Sequence, residues 1–482
     1  MSALLISGQT CWRIARADRF ACIVDAADYF KHVKTAMLRA QHRITLIGWD
    51  LDARMTFERG EKTLPGPNQL GAFLYWMLWK RPNLEVYLLK SNLRLLPAFD
   101  GIWFGLTPVS FVNQFSSRRM HFAIDGARPM GAVHHQKIAV IDDSVAFCGG
   151  LDLTVDRWDT SAHEHDNRGR RTVGRSYGPR HEVGAAVDGE AACALSEQAR
   201  ERWETATGLP LPPVDAKHEA WPSKLEPTMR NVDVGIARTL PELEGRDEVR
   251  EVEALNLAAI AAARHTIYLE NQYLAASRVA DALASRLAES DGPEVVIVLP
   301  RRGSNRLERE TMDGARHRLI HVLWEADEHG RLGIYYPVTD GGTSIYVHSK
   351  VMVIDDHLLR IGSSNLNNRS MGFDSECDIA IEAHSQNNGL RRQITAVRNQ
   401  LVSEHLGVPG DRLEKAVTRS HSLRNAVEEL HGEGKTLRPF TEQTVAGEAS
   451  PLAENDLMDP DHVPQSLTQS VQRFIAGLRP DR

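Results

Sequence analysis

Cysteine is scarce in this sequence, and its spacing excludes a disulfide framework. The chain contains five cysteines, an odd number with no CxxC pair or other metal-ligand spacing. They are Cys11, Cys22, Cys148, Cys193 and Cys377. We therefore expect small buried thiols in a reducing compartment.

The sequence also lacks a long apolar run. Residues 71–79 form the most apolar stretch, which is about half the length that a membrane-spanning helix needs. This stretch predicts a buried helix. Residues 1–7 lack the basic region and the apolar core of a secretory signal. We expect no signal peptide and no transmembrane helix, with a location in the cytoplasm or at a membrane periphery.

A basic surplus is missing as well. Lys and Arg number 57 against 64 Asp and Glu, giving a net charge of −7. A protein that coats nucleic acid non-specifically needs a basic surface, so no nucleic-acid partner is expected. The 482 residues, with 42% hydrophobic content, are ordinary for a globular protein of two or three domains. A monomer is expected.

One short pattern occurs twice. The first copy is His135-Gln136-Lys137, Asp142 and Gly149-Gly150; the second is His348-Ser349-Lys350, Asp355 and Gly362-Ser363. In both copies the Lys, the Asp and the first Gly lie two, seven and fourteen residues after the His. Two full copies in register indicate a duplicated functional unit.

The similarity extends beyond this pattern. Residues 42–51 resemble 265–274, residues 85–90 resemble 294–299, and residues 181–187 resemble 375–381. Each half reads as helix, strand, helix, strand, motif strand, further strand and helix. This alternation predicts an α/β fold with one layered half built twice.

The predicted domain boundaries follow from this repeat. Residues 1–213 form the first half, 214–227 a proline-containing linker, and 228–405 the second half. Residues 406–482 have no counterpart and are expected to pack on the second half as a C-terminal extension. Its last part carries a helical apolar stripe of Leu467, Val471, Phe474, Ile475 and Leu478.

The paired motifs suit chemistry at a phosphodiester. Residues 133–141 and 346–354 are predicted strands, in which the His and the Lys two residues later share a face. Two ammonium groups, Lys137 and Lys350, would neutralise phosphate oxygens. One imidazole could attack phosphorus while the other protonates the leaving alkoxide. Because the lysines replace a metal clamp, neither a metal nor a cofactor is expected.

Several neighbouring residues are candidates for support. Glu182 and Glu376 occupy matching positions and could orient the imidazoles of His135 and His348, but which Glu serves which His stays open. Asp142 and Asp355 complete the motifs and are expected to frame the turn after each strand. Candidates for phosphate binding are Gly149, Gly150, Asp152, Ser363 and Asn365. His134 is expected to face away from the site. His163 and His165 could suggest a metal, but they lack partners at ligand spacing and are expected to lie in a polar loop.

At these motifs the sequence resembles the phospholipase D superfamily, over roughly residues 10–405. The resemblance implies a two-half α/β/α sandwich with pseudo-twofold symmetry and one active site at the interface of the halves. It implies that His135 is the nucleophile, forming a covalent phosphohistidine, and that His348 is the acid. Segments 149–159, 179–183 and 268–273 resemble phospholipid-hydrolysing members, which places Trp158, Asn271, Gln272 and Tyr273 in the substrate pocket.

The resemblance leaves the reaction open. The expected activity releases phosphatidic acid and a headgroup alcohol at a membrane surface, with water or an alcohol as acceptor. A nuclease, another phosphodiesterase, or a phosphatidyltransferase of the cardiolipin synthase type are the alternatives; a non-catalytic binding protein would require loss of the His or Lys pairs. The first half has 19 extra residues before Glu182, containing Arg168, Arg170, Arg171, Arg175 and Arg180. They form either an entrance loop for anionic headgroups or an ordinary solvated loop.

Overall fold

The computed structural model describes residues 3–91, 113, 117–129, 131–214, 218–304, 309–384, 386–445 and 459–460. The predicted terminal helix, with Leu467, Val471, Phe474, Ile475 and Leu478, lies outside the described residues. So do residues 215–217 of the predicted linker.

Twenty strands are assigned in the described part of the chain. They are β1 (Arg13–Val24), β2 (Arg43–Gly48), β3 (Glu85–Ser91), β4 (Met120–Asp125), β5 (Ile138–Ile141), β6 (Val145–Gly149), β7 (Arg171–Thr172), β8 (Arg175–Ser176), β9 (Arg180–His181), β10 (Val183–Asp188), β11 (Met229–Leu240), β12 (Val249–Arg250), β13 (Thr266–Glu270), β14 (Glu294–Val298), β15 (Leu332–Val338), β16 (Tyr346–Val347), β17 (Val351–Ile354), β18 (Leu358–Gly362), β19 (Glu376–Glu382) and β20 (Thr436–Pro439).

Sixteen of these strands form one continuous sheet. From its centre the order runs β1, β10, β6, β5, β2, β3, β4 in one direction and β11, β19, β18, β17, β13, β14, β15, β20 in the other; the sixteenth strand, β12, pairs with β11 outside this order. Apart from the added β20, the two directions use strands from matching places in the repeat. Antiparallel pairing of β1 with β11, which sets Ala15 opposite Val234, joins the halves. The predicted α/β class is confirmed.

Helices cover both faces of the sheet. They are α1 (Ala26–Arg39), α2 (Leu70–Lys80), α3 (Gly189–Thr207), α4 (Glu251–Ala262), α5 (Ser277–Ala288), α6 (Gly314–Ala326), α7 (Asn388–Leu406), α8 (Gly410–Ser420), α9 (Leu423–Leu430) and α10 (Glu442–Val445), with π-helical turns at Arg309–Asp313 and Arg369–Phe373. On β10, Val183 and Ala185 face the core shared with α3 and α7, while Ala186 faces the core under α1 and α2. The period-two alternation of a strand thus serves two helical layers.

Two expectations about burial need correction. The helix predicted at 71–79 exists, but its Trp79 side chain is 74% exposed, because only one face of α2 packs on the sheet. Cys193 is exposed rather than buried, since it lies on the outer face of α3. Within the described ranges, no helix combines the length and apolar character needed to cross a bilayer.

The described part of the C-terminal extension contacts the second half. Strand β20 pairs antiparallel with β15 and extends the edge of the sheet. The Glu294 carboxylate accepts hydrogen bonds from Ser422 Oγ (2.6 Å) and Leu423 N (2.7 Å) at the start of α9. A half-buried carboxylate therefore caps this helix and fixes it to the second half.

Candidate active site

Backbone hydrogen bonds between the halves hold the two motif histidines. His135 N donates to Ser375 O, and His348 N donates to His181 O, both at 2.9 Å. In the central sheet, strand structure begins only at Ile138 and Val351, later than predicted; Tyr346–Val347 forms the separate short strand β16, which pairs with β9. The physical reason is that the His-containing segments pair with the opposite half before they enter their own sheet.

The pairing between the halves places each supporting glutamate beside the motif histidine of the other half. His135 Nδ1 lies 3.0 Å from both carboxylate oxygens of Glu376, and His348 Nδ1 lies 2.8 Å from Glu182 Oε2. Each imidazole is therefore oriented by the glutamate of the other half. A ring that donates from Nδ1 keeps its Nε2 lone pair for chemistry.

Both glutamates are themselves held in place. Ser363 Oγ (2.5 Å) and Ser370 Oγ (2.7 Å) donate to Glu376, and Arg180 Nε donates to Glu182 at 2.9 Å. Ser363 was predicted to bind phosphate, but its hydroxyl is committed to the glutamate. The sequence analysis missed Ser370 because it lies outside both motifs, on the π-helical turn that follows the second one.

The two motif lysines are buried beside the histidines. Lys137 Nζ donates to His135 O at 2.6 Å and lies 3.5 Å from Asp152 Oδ2. Lys350 Nζ donates to His348 O at 2.6 Å and to Gln272 Oε1 at 3.2 Å. In this structure Asp152 is therefore the counter-ion of Lys137, and Gln272 contacts the second motif lysine.

The motifs of the two halves come into direct contact. A methyl group built on Gly150 would lie 3.1 Å from His348 O and 3.2 Å from Lys350 Cδ. A methyl group on Gly149 would lie 2.7 Å from the Gly184 Cα. These glycines, predicted to admit a phosphate, instead allow protein segments to approach each other.

Burial shifts the titration of the site. It lowers the pKa of Lys350 to about 7, with Lys137 adding to the effect and Glu182 opposing it. Burial also lowers the pKa of His135 and of His348 well below 6.5, and the charges of Lys137 and Lys350 act on both rings. Burial raises the pKa of Glu376 to about 8, against the influence of Lys137. An anion placed between the lysines would raise the pKa of each cationic group.

The motif aspartates hold turns. Asp142 accepts hydrogen bonds from the backbone N–H groups of residues 41–43 at 2.5–2.8 Å, and Asp355 accepts from those of residues 264–266 at 2.7–3.0 Å. Both adopt a positive φ, 52° and 51°. Both residues therefore lie in the turn after their strand, as predicted, and their carboxylates hold the backbone at the start of β2 and β13.

The predicted pocket residues separate into different environments. Asn271 is buried and its Oδ1 accepts from Tyr273 N (3.1 Å) and Leu366 N (3.0 Å), so it fixes a loop. Trp158 is partly buried and packs against Gly169 at the edge of the core of the first half. The Tyr273 hydroxyl accepts from Gln272 Nε2 at 2.8 Å and stays beside the site. The Asn365 Oδ1 is buried with no hydrogen-bond partner among the described residues, which leaves it available.

His134 and His163, two other histidines considered from the sequence, also lie in different environments. His134 turns away from the site and contacts Ser375 Oγ (2.9 Å) and Asp125 Oδ1 (3.1 Å). His163 lies in a polar loop, as expected, but its side chain is fully buried between Asp159 and Glu404. The reason is that its loop packs against α7 of the second half.

The five arginines of the inserted loop do not act as one group. Arg168, Arg171 and Arg175 are exposed, whereas Arg170 is buried and paired with Asp159 at 3.3 Å. Arg180 joins the site through Glu182, and its guanidinium lies 4.8 Å from the centre of the Tyr346 ring.

Comparisons with known proteins relate this chain to phospholipases D and related enzymes. A family profile described as "Cardiolipin synthase, PLD-like domain" matches residues 257–397. Phospholipase D1 of Schizosaccharomyces pombe is 23% identical, over 86% of this chain and 38% of its own length. Phospholipase D alpha 3 of Arabidopsis thaliana is 24% identical, over 79% of this chain and 63% of its own length. The chain thus spans less than two thirds of these relatives.

A solved structure shares the fold. The crystal structure of phosphatidylserine synthase from Haemophilus influenzae Rd KW20 superposes with a TM-score of 0.54 at 14% identity. The match covers 85% of this chain and 94% of that one. At this identity the likeness concerns the fold alone.

Proposed function

We propose that this chain, which belongs to the phospholipase D superfamily, is a phosphodiesterase that cleaves glycerophospholipids into phosphatidic acid and a headgroup alcohol. The observation that carries the proposal is the pair of crossed His–Glu contacts beside two buried lysines. Because one chain supplies all four His and Lys groups, we propose that a monomer is competent.

The reaction would proceed in two displacements at phosphorus. In the first, His135 Nε2 forms a bond to phosphorus while the bond to the headgroup oxygen breaks, and His348 donates its proton to that oxygen. Lys137 and Lys350 offset the negative charge of the pentacovalent transition state. In the second, His348 removes a proton from water, whose oxygen displaces His135 and completes phosphatidic acid. An alcohol in place of water would give transphosphatidylation.

The names of the relatives support a lipid substrate. Phospholipases D from fission yeast and plants are among the curated proteins that match. The matching family profile is named after cardiolipin synthase, and the solved structure that shares the fold is a phosphatidylserine synthase. These names support phosphatidyl transfer as a second candidate activity. The net charge of −7 argues against a nuclease.

A short hairpin offers a means of peripheral membrane contact. Strands β7 and β8 pair through Arg171–Ser176 and Thr172–Arg175, and the Val173 side chain at their tip is 78% exposed. An apolar tip flanked by exposed Arg171 and Arg175 suits the boundary between acyl chains and anionic headgroups. We propose that this hairpin docks the protein on the membrane surface.

The test uses the purified full chain on vesicles of phosphatidylcholine, phosphatidylglycerol or phosphatidylethanolamine, with and without ethanol, and on single-stranded DNA. We expect phosphatidic acid, and phosphatidylethanol when ethanol is present. His135→Asn and His348→Asn should abolish both products, whereas His329→Asn, an exposed control, should retain them. Cleavage of DNA without any lipid product would contradict the proposal.

A further inference from the structure

A buried polar cluster lies next to Glu182 and takes no part in the proposed phosphorus chemistry. The His163 cluster consists of Asp25, His163, His181 and Glu404, each of which can offer one ligand atom within 4.8 Å of the others. The first three side chains are at most 1% exposed, and that of Glu404 is 10% exposed. Three members come from the first half, and Glu404 comes from α7 in the second.

The spacing of these atoms fits a four-coordinate metal ion. Glu404 Oε1 lies 3.1 Å from His163 Nε2 and 3.0 Å from His181 Nδ1. The Asp25 carboxylate oxygens lie 3.5 Å from the same two nitrogens. Ligands at about 2.0–2.1 Å from a tetrahedral zinc ion are separated by roughly 3.3 Å, which falls between these distances.

The second nitrogen of each histidine also has the partner expected of a metal ligand. His163 Nδ1 lies 3.0 Å from Asp159 Oδ2, and His181 Nε2 lies 3.0 Å from Glu270 Oε2. Metal-binding histidines generally donate their other N–H to a carboxylate, which fixes the tautomer and directs the free nitrogen at the metal. Both imidazoles therefore direct a nitrogen at Glu404 while a carboxylate holds the other.

An unpartnered oxygen lies at the same place. Asp25 Oδ2 is buried and accepts no hydrogen bond among the described residues, although buried carboxylate oxygens nearly always have a donor. Four carboxylates meet here: Asp25, Asp159, Glu270 and Glu404. Arg170 offsets one of their charges, and the Lys435 ammonium, which interacts with Glu404, Asp25 and Asp159, offsets a second. A divalent cation would offset two more and would satisfy the free Asp25 oxygen.

We propose that the His163 cluster binds one divalent transition-metal ion, with zinc the best match to its two nitrogen and two oxygen donors. The ion would fasten α7 of the second half to the first half. It would also fix the segment that carries Glu182, because Asp25 N donates to Glu182 O at 2.7 Å and Glu182 N donates to Asp25 Oδ1 at 3.1 Å. The ion is structural and positions the glutamate; it does not touch the phosphate.

Metal content is the direct test. The full chain is dialysed against zinc, freed of unbound metal and analysed by mass spectrometry. We expect about one zinc ion per chain in the wild type. The exposed control His165→Asn should also hold one, whereas His163→Asn and Glu404→Gln should retain less than about 0.2 equivalents.

Two measurements on the wild type keep the test independent of how the variants fold. Zinc should raise the unfolding temperature of chelator-treated protein by about 5 °C. Cobalt should give the intense visible absorption of a tetrahedral site. The proposal would be overturned if the wild-type protein takes up no metal and its unfolding temperature changes with neither zinc nor chelator. The cluster would then be an ion-paired network of protonated histidines. Retention of zinc by both ligand variants would overturn the proposal as well. Neither result depends on phospholipase activity.

Discussion

Replacing Glu182 by Gln tests the roles of the two histidines. The change keeps the shape of the side chain but removes the charge that faces His348 Nδ1 at 2.8 Å and Arg180 Nε at 2.9 Å. If His348 is the acid, its imidazolium form loses its stabilising partner. Glu376→Gln replaces the carboxyl group beside His135, the proposed nucleophile; because the pKa of Glu376 is raised to about 8, this group carries its full charge only above that pH.

The expected loss of rate follows from these contacts. A hydrogen bond to a charged group contributes about 1.5–3 kcal/mol, which corresponds to a loss of roughly 10–200-fold in rate. For Glu182→Gln the full loss should appear with a choline headgroup, whose alkoxide needs a proton. The loss of rate should shrink to about threefold with a p-nitrophenyl headgroup, because the p-nitrophenolate anion leaves without a proton. Glu376→Gln should slow both substrates equally.

The assay compares short-chain phosphatidylcholine with phosphatidyl-p-nitrophenol in single turnovers. The p-nitrophenol burst isolates the first displacement, in which the leaving group departs. Glu328→Gln, an exposed substitution, serves as the control and should match the wild type. Equal losses for both substrates in Glu182→Gln, or leaving-group dependence only in Glu376→Gln, would refute the assigned order of the histidines.

Three other measurements probe the site and its surroundings. Because the pKa of Lys350 is lowered to about 7, the lysine loses its charge as pH rises through that value. The value of kcat/KM should therefore fall above pH 7, while the corresponding decline in kcat occurs at higher pH; a flat kcat/KM between pH 6.5 and 9 would be incompatible with this. Asp142→Asn should lower the free energy of unfolding in urea by roughly 2–3 kcal/mol and leave kcat of folded protein unchanged, since Asp142 holds backbone N–H groups; a large loss of kcat would give it a chemical role. Arg171→Glu with Arg175→Glu should reduce hydrolysis of anionic vesicles roughly tenfold or more but leave soluble short-chain substrate unaffected, and equal rates on vesicles would remove the hairpin from membrane binding.

Much of the architecture could be predicted from the sequence because it depends on local patterns. Apolar strands followed by helices identified the α/β class, and the repeated His, Lys and Asp spacing identified the superfamily. Strands β2, β3, β13 and β14 lie where the compared segments placed them. Spacing within one strand or turn is fixed by bonds a few residues long, so the position of Asp142 in the turn after its strand was also predictable. The backbone N–H group of His42 that its carboxylate holds lies 100 residues away and was not.

Which distant segments meet was decided by the tertiary structure. The pairing of β1 with β11 brings residue 375 to residue 135 and residue 181 to residue 348, and thereby crosses the two glutamates. The same joining buries His163 against Glu404, 241 residues away in the sequence. The periodicity of apolar residues carries no information about contacts between residues so far apart in the sequence, because those contacts depend on how the two halves of the sheet join. The sequence alone determined the chemical groups of this protein; the joining of its halves determined their partners.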